Sequence, residues 1–229
     1  MKNQLHILLT IFCLVLTACN RNHDGLLGST AATRLTDIVT FTGVDNDNHA
    51  KFRLDMRDDE APVMLFTTVK PPQQVKLNDR VLLYYAVSHK APDNSYWNVN
   101  AMALTRIFSD SIRVNSNPIG SYKMHQLKIK SAWRTGEFIN IYGQVEHTGK
   151  SRLLYMMLDR DTRGKENVDA YLVHDLLDTP QDSIFYWRDF YLSVNVGALK
   201  KDPDPCRYIT LHYNDATSSA PATRTFTIK

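Results

Sequence analysis

The sequence predicts an all-β protein, with an N-terminal five-stranded OB-like barrel followed by a C-terminal antiparallel β-sandwich. Three observations predict it. Apolar, β-branched and aromatic residues recur with period two along most of the chain. The runs are short and end at Asn, Asp, Pro or Gly, residues that favour turns. Beyond the N-terminal leader, no run has the length and 3.6-residue spacing of a long helix, and no internal repeat or heptad pattern occurs.

The first five strands are TDIVTFTGV (36–44), KFRLDM (51–56), PVMLFTTV (62–69), RVLLYYAV (80–87) and YWNVNAMALTRI (96–107). In the fourth, Val81, Leu83, Tyr85 and Val87 share one face and Leu82, Tyr84 and Ala86 the other. Both faces are apolar, which places this strand centrally. Asp45-Asn46-Asp47-Asn48, Asp58-Asp59, Pro71-Pro72, Asn78-Asp79 and Pro92-Asp93-Asn94 supply the turns. Five strands without an intervening helix suit a small Greek-key barrel. This domain spans 34–112.

Residues 113–121 read as a linker, in a segment rich in Ser, Asn, Pro and Gly. The second domain, 122–229, carries HQLKIKSAW (125–133), FINIYGQVEH (138–147), RLLYMMLD (152–159), DAYLVHD (169–175), SIFYWRDFYLSVNV (183–196), RYITLHYND (207–215) and TRTFTIK (223–229). Their spacing suits a sandwich. His147 to Lys150 reads as a hairpin turn, and Cys206, after the DPDP run, as a small, partly buried residue.

The N-terminus sets an address. A short n-region with Lys2 precedes Leu5–Leu16, nearly all apolar. That stretch is shorter than the ~20 residues a spanning helix needs and suits a signal-peptide core. Leu16-Thr17-Ala18-Cys19 follows, and it resembles the bacterial lipoprotein box. The resemblance implies that residues 1–18 are cleaved and that Cys19 is acylated. Residues 19–33 are small and polar and read as a flexible tether. The expected location is the cell envelope, with the chain anchored to a membrane, the outer one by preference, through lipid on Cys19. No acidic run follows Cys19, which leaves the leaflet open.

Composition narrows the partners. The 27 basic side chains less Lys2 stand against 24 acidic ones, and the basic residues are scattered. A nucleic-acid partner is therefore not expected. Cys13 leaves with the signal and Cys19 is modified, so Cys206 remains without a disulfide partner and stability must come from the core.

Motifs that carry chemistry are sparse in this chain. Asp45, Asp47 and His49 sit at calcium-loop spacing, but Ala50 and Met56 occupy the positions that need Gly and Glu. Asp159, Asp161 and Gly164 fail similarly at Arg163 and Ala170. Both read as polar turns. His125, His147, His174 and His212 each lie alone on a predicted strand or its end, and no metal spacing or nucleophile motif occurs. Asp58, Asp59 and Glu60 read as a solvated cluster. No cofactor, metal or catalytic residue is expected. Aromatic residues give the one opening. In SIFYWRDFYLSV, Phe185, Trp187, Asp189 and Tyr191 share one face, and Ile184, Tyr186, Arg188, Phe190 and Leu192 the other. Such a supply exceeds one core's need. Tyr96, Trp97, Trp187 and Tyr191 are the candidate ligand platform, for a protein or a glycan.

Several segments together resemble a known family. A lipobox, the DRVLLYYAV strand, the aromatic strand YWNVNAMALTRI, a linker and then IKSAW…FINIYGQ are similar, in this order, to the NigD-like lipoproteins of Bacteroidetes. The resemblance implies an OB-like domain and a β-sandwich on a lipid anchor, and it brings no catalytic residues. Where members often place Gly in a turn, this chain has Asn78, which also tolerates left-handed backbone. The expectation is a non-enzymatic binding or accessory lipoprotein. The alternatives are a bacteriocin-immunity or envelope-defence factor, and a hydrolase built from scattered Asp, Glu and His.

Overall fold

The computed structural model describes residues 33–57, 59–147, 152–177, 185–201 and 206–228. The expected signal peptide, Cys19 and the tether up to residue 32 lie outside the described residues. So do Asp58, residues 148–150 of the hairpin turn and the DPDP run. The described residues belong to one compact unit.

Strands β1 (Arg34–Val44), β2 (Ala50–Leu54), β3 (Val63–Phe66), β4 (Arg80–Lys90) and β5 (Tyr96–Arg106) form a closed barrel in the order β1-β2-β3-β5-β4. Closure comes from antiparallel pairing of β1 with β4, from Arg34↔Ala86 to Thr40↔Arg80. Bulges at Phe41/Gly43, Tyr84/Tyr85 and Val87/His89 bend the strands as a small barrel requires. The inward residues fill the interior: Val39, Phe52, Leu65, Val81, Leu83 and Tyr85 are buried. Each fully buried aliphatic side chain contributes about 1.5–3 kcal/mol of transfer free energy. Asn78 stands at φ 70°, in the left-handed region expected for it, and its N–H bonds the Phe41 carbonyl.

Nine strands build the sandwich. They are β6 (Phe108–Ser111), β7 (Arg113–Val114), β8 (Leu127–Thr135), β9 (Phe138–His147), β10 (Leu153–Leu158), β11 (Asn167–Asp175), β12 (Tyr186–Asn195), β13 (Tyr208–Tyr213) and β14 (Ala222–Thr227). One sheet has the order β14-β13-β11-β10-β7 and the other β6-β12-β9-β8. Antiparallel pairs dominate, with parallel pairs β7/β10, β11/β13 and β6/β12. The core between the sheets includes Ile139, Ile141, Met156, Leu172, Leu192 and Leu211. Cys206 is buried in it.

Strands β6 and β7 come from residues that the sequence assigns to the barrel's end and the linker. The segment enters both sandwich sheets at once, β6 at the edge of one and β7 at the edge of the other. Between them Ile112 packs on the core, and its N–H bonds the Asn195 carbonyl. Buried Asn115 then accepts the Arg160 N–H at 2.7 Å, which pins the chain as it leaves β7. The passage between the modules is therefore built into the fold.

Candidate functional site: the seam between barrel and sandwich

The second face of β4 explains itself at this seam. Its inward residues fill the barrel, while Arg80 and Leu82 alternate outward. Arg80 is 2% exposed. Its Nη1 donates to Asp55 Oδ2 at 2.8 Å and to Thr40 Oγ1 at 2.9 Å, both on the barrel. Its Nε donates to Ser193 Oγ at 3.1 Å and its Nη2 to Asn140 Oδ1 at 3.3 Å, both on the sandwich. The guanidinium also lies over Phe138 at 4.1 Å. Burial pulls the Arg80 pKa down to about 10, against the opposing pull of Asp55, so the group stays charged at neutral pH. The ring of partners continues: Ser193 donates to Asn140 at 2.8 Å, and Asn140 to Thr135 Oγ1 at 2.9 Å. A buried charge without such partners would cost several kcal/mol.

A second clamp lies nearer the surface. Arg134 grips Asp59 with both Nη atoms at 2.8 Å, and Lys200 reaches the same carboxylate at 3.4 Å. The Arg134 hydrogen bonds hold the Asp59 pKa down to about 2. The Gly136 N–H bonds the Met56 carbonyl across the same boundary.

Between these fixed points runs a groove of ≈ 570 Å³. Leu35, Asp37, Leu82 and Trp97 line it from the barrel, and Trp133, Tyr142 and Tyr191 from the sandwich. Tyr142 and Tyr191 are opposite each other in the β9/β12 register and stack at 4.6 Å and 12°. The Tyr142 hydroxyl donates to Asp189 Oδ2 at 3.1 Å and accepts from Lys130 Nζ at 3.1 Å. Asp189 also accepts from Lys130 and Gln144, each at 2.9 Å, and the Lys130 hydrogen bond first of all lowers its pKa. The two rings are thus held in place by the protein's own contacts. Other polar groups at the groove are engaged too: Asp37 accepts from Tyr85, and Asp55 from Arg53 and Arg80. Burial, then the Asp37 charge, drives the Tyr85 pKa far above its usual value.

The four platform residues separate. Tyr191 and Trp97 reach the groove, Trp97 as a wall residue 7% exposed with its indole N–H bound to Asn94. Trp187 is on the same face of β12 as Tyr191, as period two requires, with the Lys128 ammonium over its ring at 4.0 Å. Tyr96 does not line the groove; it packs edge-on against Phe66 at 5.8 Å. Trp133 and Tyr142, absent from the platform, stand in the groove instead. A signal for them existed: Ser131, Trp133 and Thr135 alternate onto one face of β8, and the short β8–β9 turn sets that face beside Tyr142.

The histidines and acidic turns find ordinary partners. His174 is fully buried, with Nδ1 against the Gln126 carbonyl and Nε2 facing Arg152, each at 3.3 Å. His212 meets Asp169 at 2.7 Å. Asp45 accepts the N–H groups of Asp47 and His49 in the β1–β2 turn. The carboxylates of Asp45 and Asp47 and the His49 ring come within 4.8 Å of one another, in an exposed turn.

An OB-type barrel locked through a buried arginine onto a mixed-sheet sandwich defines the class. Solved proteins from Bacteroides and Parabacteroides species share this fold at low identity. A protein of unknown function, DUF1344, from Bacteroides vulgatus superposes with TM-score 0.65 and 13% identity, covering 85% of this chain and 90% of that one. A NigD-like immunity protein from Bacteroides caccae gives TM-score 0.60 and 14% identity over 85% and 98%. A candidate lipoprotein from Bacteroides fragilis gives 0.58 and 13% over 86% and 99%. The likeness to NigD-like proteins carried by the sequence segments is thus supported at the level of the fold. No family model matches the sequence, and no curated protein does. No helix among the described residues is long and apolar enough to cross a membrane.

Proposed function

We propose that this chain is a non-enzymatic binding module of the cell envelope, held to a membrane by acylated Cys19, and that the seam groove takes a glycan. One observation carries the reading: a preformed groove lined by Trp97, Trp133, Tyr142 and Tyr191, with Asp37, Arg57 and Glu60 as polar neighbours. Aromatic faces suit the apolar C–H faces of sugar rings, and the polar groups suit their hydroxyls. OB-type barrels are a recurrent platform for oligosaccharides. The carboxylates Asp37 and Asp55 are committed to Tyr85 and to arginines, which favours binding over acid–base chemistry. A glycan array with the full chain tests the reading, and Trp133→Ala should lose at least tenfold in affinity. Envelope pull-down of a protein partner together with glycan silence would replace glycan by protein as the ligand. The anchor has its own test: Cys19→Ala is expected to lose acylation and persist as precursor, whereas normal processing without lipid would refute it.

A second reading, immunity to a bacteriocin, draws support from the fold shared with the protein named NigD-like immunity protein. Deleting the gene and challenging cells with bacteriocin decides it: unchanged sensitivity removes it.

A further inference from the structure

Across Leu82 and Tyr191, which line both, lies a second cleft of ≈ 660 Å³. Its apolar surface comes from Leu82, Val145, Phe190 and Phe108. Phe108, on edge strand β6, is 49% exposed and so offers its ring to the cleft. Its polar part is basic: Arg106, Arg152, Arg188 and His147. Arg106 has Asp79 at 3.8 Å. Among the described residues, Arg152 and Arg188 have no carboxylate within ion-pair distance, and each instead points a guanidinium nitrogen at a histidine, Arg152 at His174 and Arg188 at His147. Among the described residues, none accepts from the buried Arg152 Nε. Such orphans are uncommon in folded proteins.

The negative charges nearby do not cancel this surplus. Asp189 lines the cleft, but its oxygens already accept from Lys130, Tyr142 and Gln144. Glu146 is near enough to favour the Arg152 charge without pairing with it. The pKa of His147 is lowered by burial and then by both arginines, which keeps it uncharged at neutral pH. Among the described residues, the guanidiniums of Arg152 and Arg188 against the Glu146 carboxylate leave about one positive charge over an apolar floor.

We propose that this cleft binds an amphipathic monocarboxylate, its apolar body against Phe108 and Val145 and its carboxylate between Arg152 and Arg188. The planar fork of a guanidinium matches a carboxylate in two-point contact. A surplus of one charge matches a single negative head better than a phosphate dianion or a polyanion. The site is separate from the glycan reading and stands without it.

Three soluble probes with one apolar body test this: 2-naphthoate, 2-naphthyl phosphate and 2-naphthalenemethanol. Each is titrated calorimetrically into the full chain in non-ionic micelles, beside an Arg152→Gln/Arg188→Gln double variant that reports uptake by the micelles themselves. Naphthoate is expected to bind at least tenfold tighter than the alcohol, and to lose at least tenfold in the double variant. The single variant Arg188→Gln, at an exposed position, should lose several-fold with an unchanged circular-dichroism spectrum. Phe108→Ser should weaken naphthoate and alcohol alike. Equal binding of naphthoate and alcohol, undiminished binding in either arginine variant, or no binding of naphthoate overturns the proposal. Tighter binding of the phosphate overturns the single-charge assignment.

Discussion

Replacing Arg80 by alanine is the sharpest test of how the two modules are joined. The substitution removes four hydrogen bonds, to Asp55, Thr40, Asn140 and Ser193, and the contact with Phe138. It leaves the Asp55 carboxylate buried at the seam with Arg53 as its remaining ion partner. Breaking one side of a buried ion pair costs about 3–5 kcal/mol, because the other charge stays behind. The polar groups of Thr40 and Asn140 lose a donor as well, while the Asn140–Ser193 and Asn140–Thr135 bonds remain. A total near 4 kcal/mol follows, a large share of the 5–15 kcal/mol typical of a folded domain. At about 2–4 °C per kcal/mol for a chain of this size, Tm should fall by about 8–16 °C. Urea denaturation of the full chain, followed by tryptophan fluorescence and circular dichroism, is the assay. The variant should also lose coincidence of the two probes, since the barrel and sandwich lose their shared bonds. Adding Asp55→Leu to Arg80→Met should recover much of the loss, because apolar replacement of both partners removes the stranded charge. A loss under 1 kcal/mol for Arg80→Ala, with both probes still coincident, would show that the seam is held elsewhere.

Three further outcomes are expected. Gly143→Ala should cost about 3 kcal/mol in urea unfolding, the upper range for overpacking, because a Cβ there would sit 2.4 Å from the Lys128 carbonyl oxygen and 2.9 Å from the Phe190 ring; a neutral effect would mean that β8 can shift freely. Burial, then the Arg152 charge, depresses the His174 pKa to about 4, below its unfolded 6.5. The unfolded chain therefore takes up a proton first, so stability is full above pH 6.5 and declines as pH falls toward 4, by about 2.5 kcal/mol at pH 4.5; urea midpoints for the wild type and His174→Gln at pH 7.5 and 4.5 should differ in slope with pH, and parallel slopes would contradict this. Asp59→Ala should change stability by less than 1 kcal/mol despite its two-point grip on Arg134, because the carboxylate is about half exposed and solvent-screened; a loss above 2 kcal/mol would place that clamp among the main supports of the seam.

Period two made the strands readable because side-chain alternation is a local property of extended chain. All twelve expected strands appear, and Asn78 adopts the backbone its turn required. The split of β12 into an inner face with Phe190 and Leu192 and an outer face with Trp187 and Tyr191 follows from the same alternation. β6 and β7 escaped because a four-residue and a two-residue strand, rich in Ser, Asp and Arg, carry no apolar alternation; their pairing comes from edges offered by β12 and β10. Nothing in RVLLYYAV reveals that its first arginine is buried, for its partners are Thr40, Asp55, Asn140 and Ser193, up to 113 residues away.

By itself the sequence determined twelve of the fourteen strands and the stock of aromatic side chains. Only the tertiary structure decided which faces meet. It drew Trp97, Trp133, Tyr142 and Tyr191 into one groove, left Tyr96 outside it, and set Arg152 and Arg188 around an apolar floor. The physical reason is range. Alternation is fixed within a few residues, whereas the seam depends on where two curved sheets come to rest against a single buried charge.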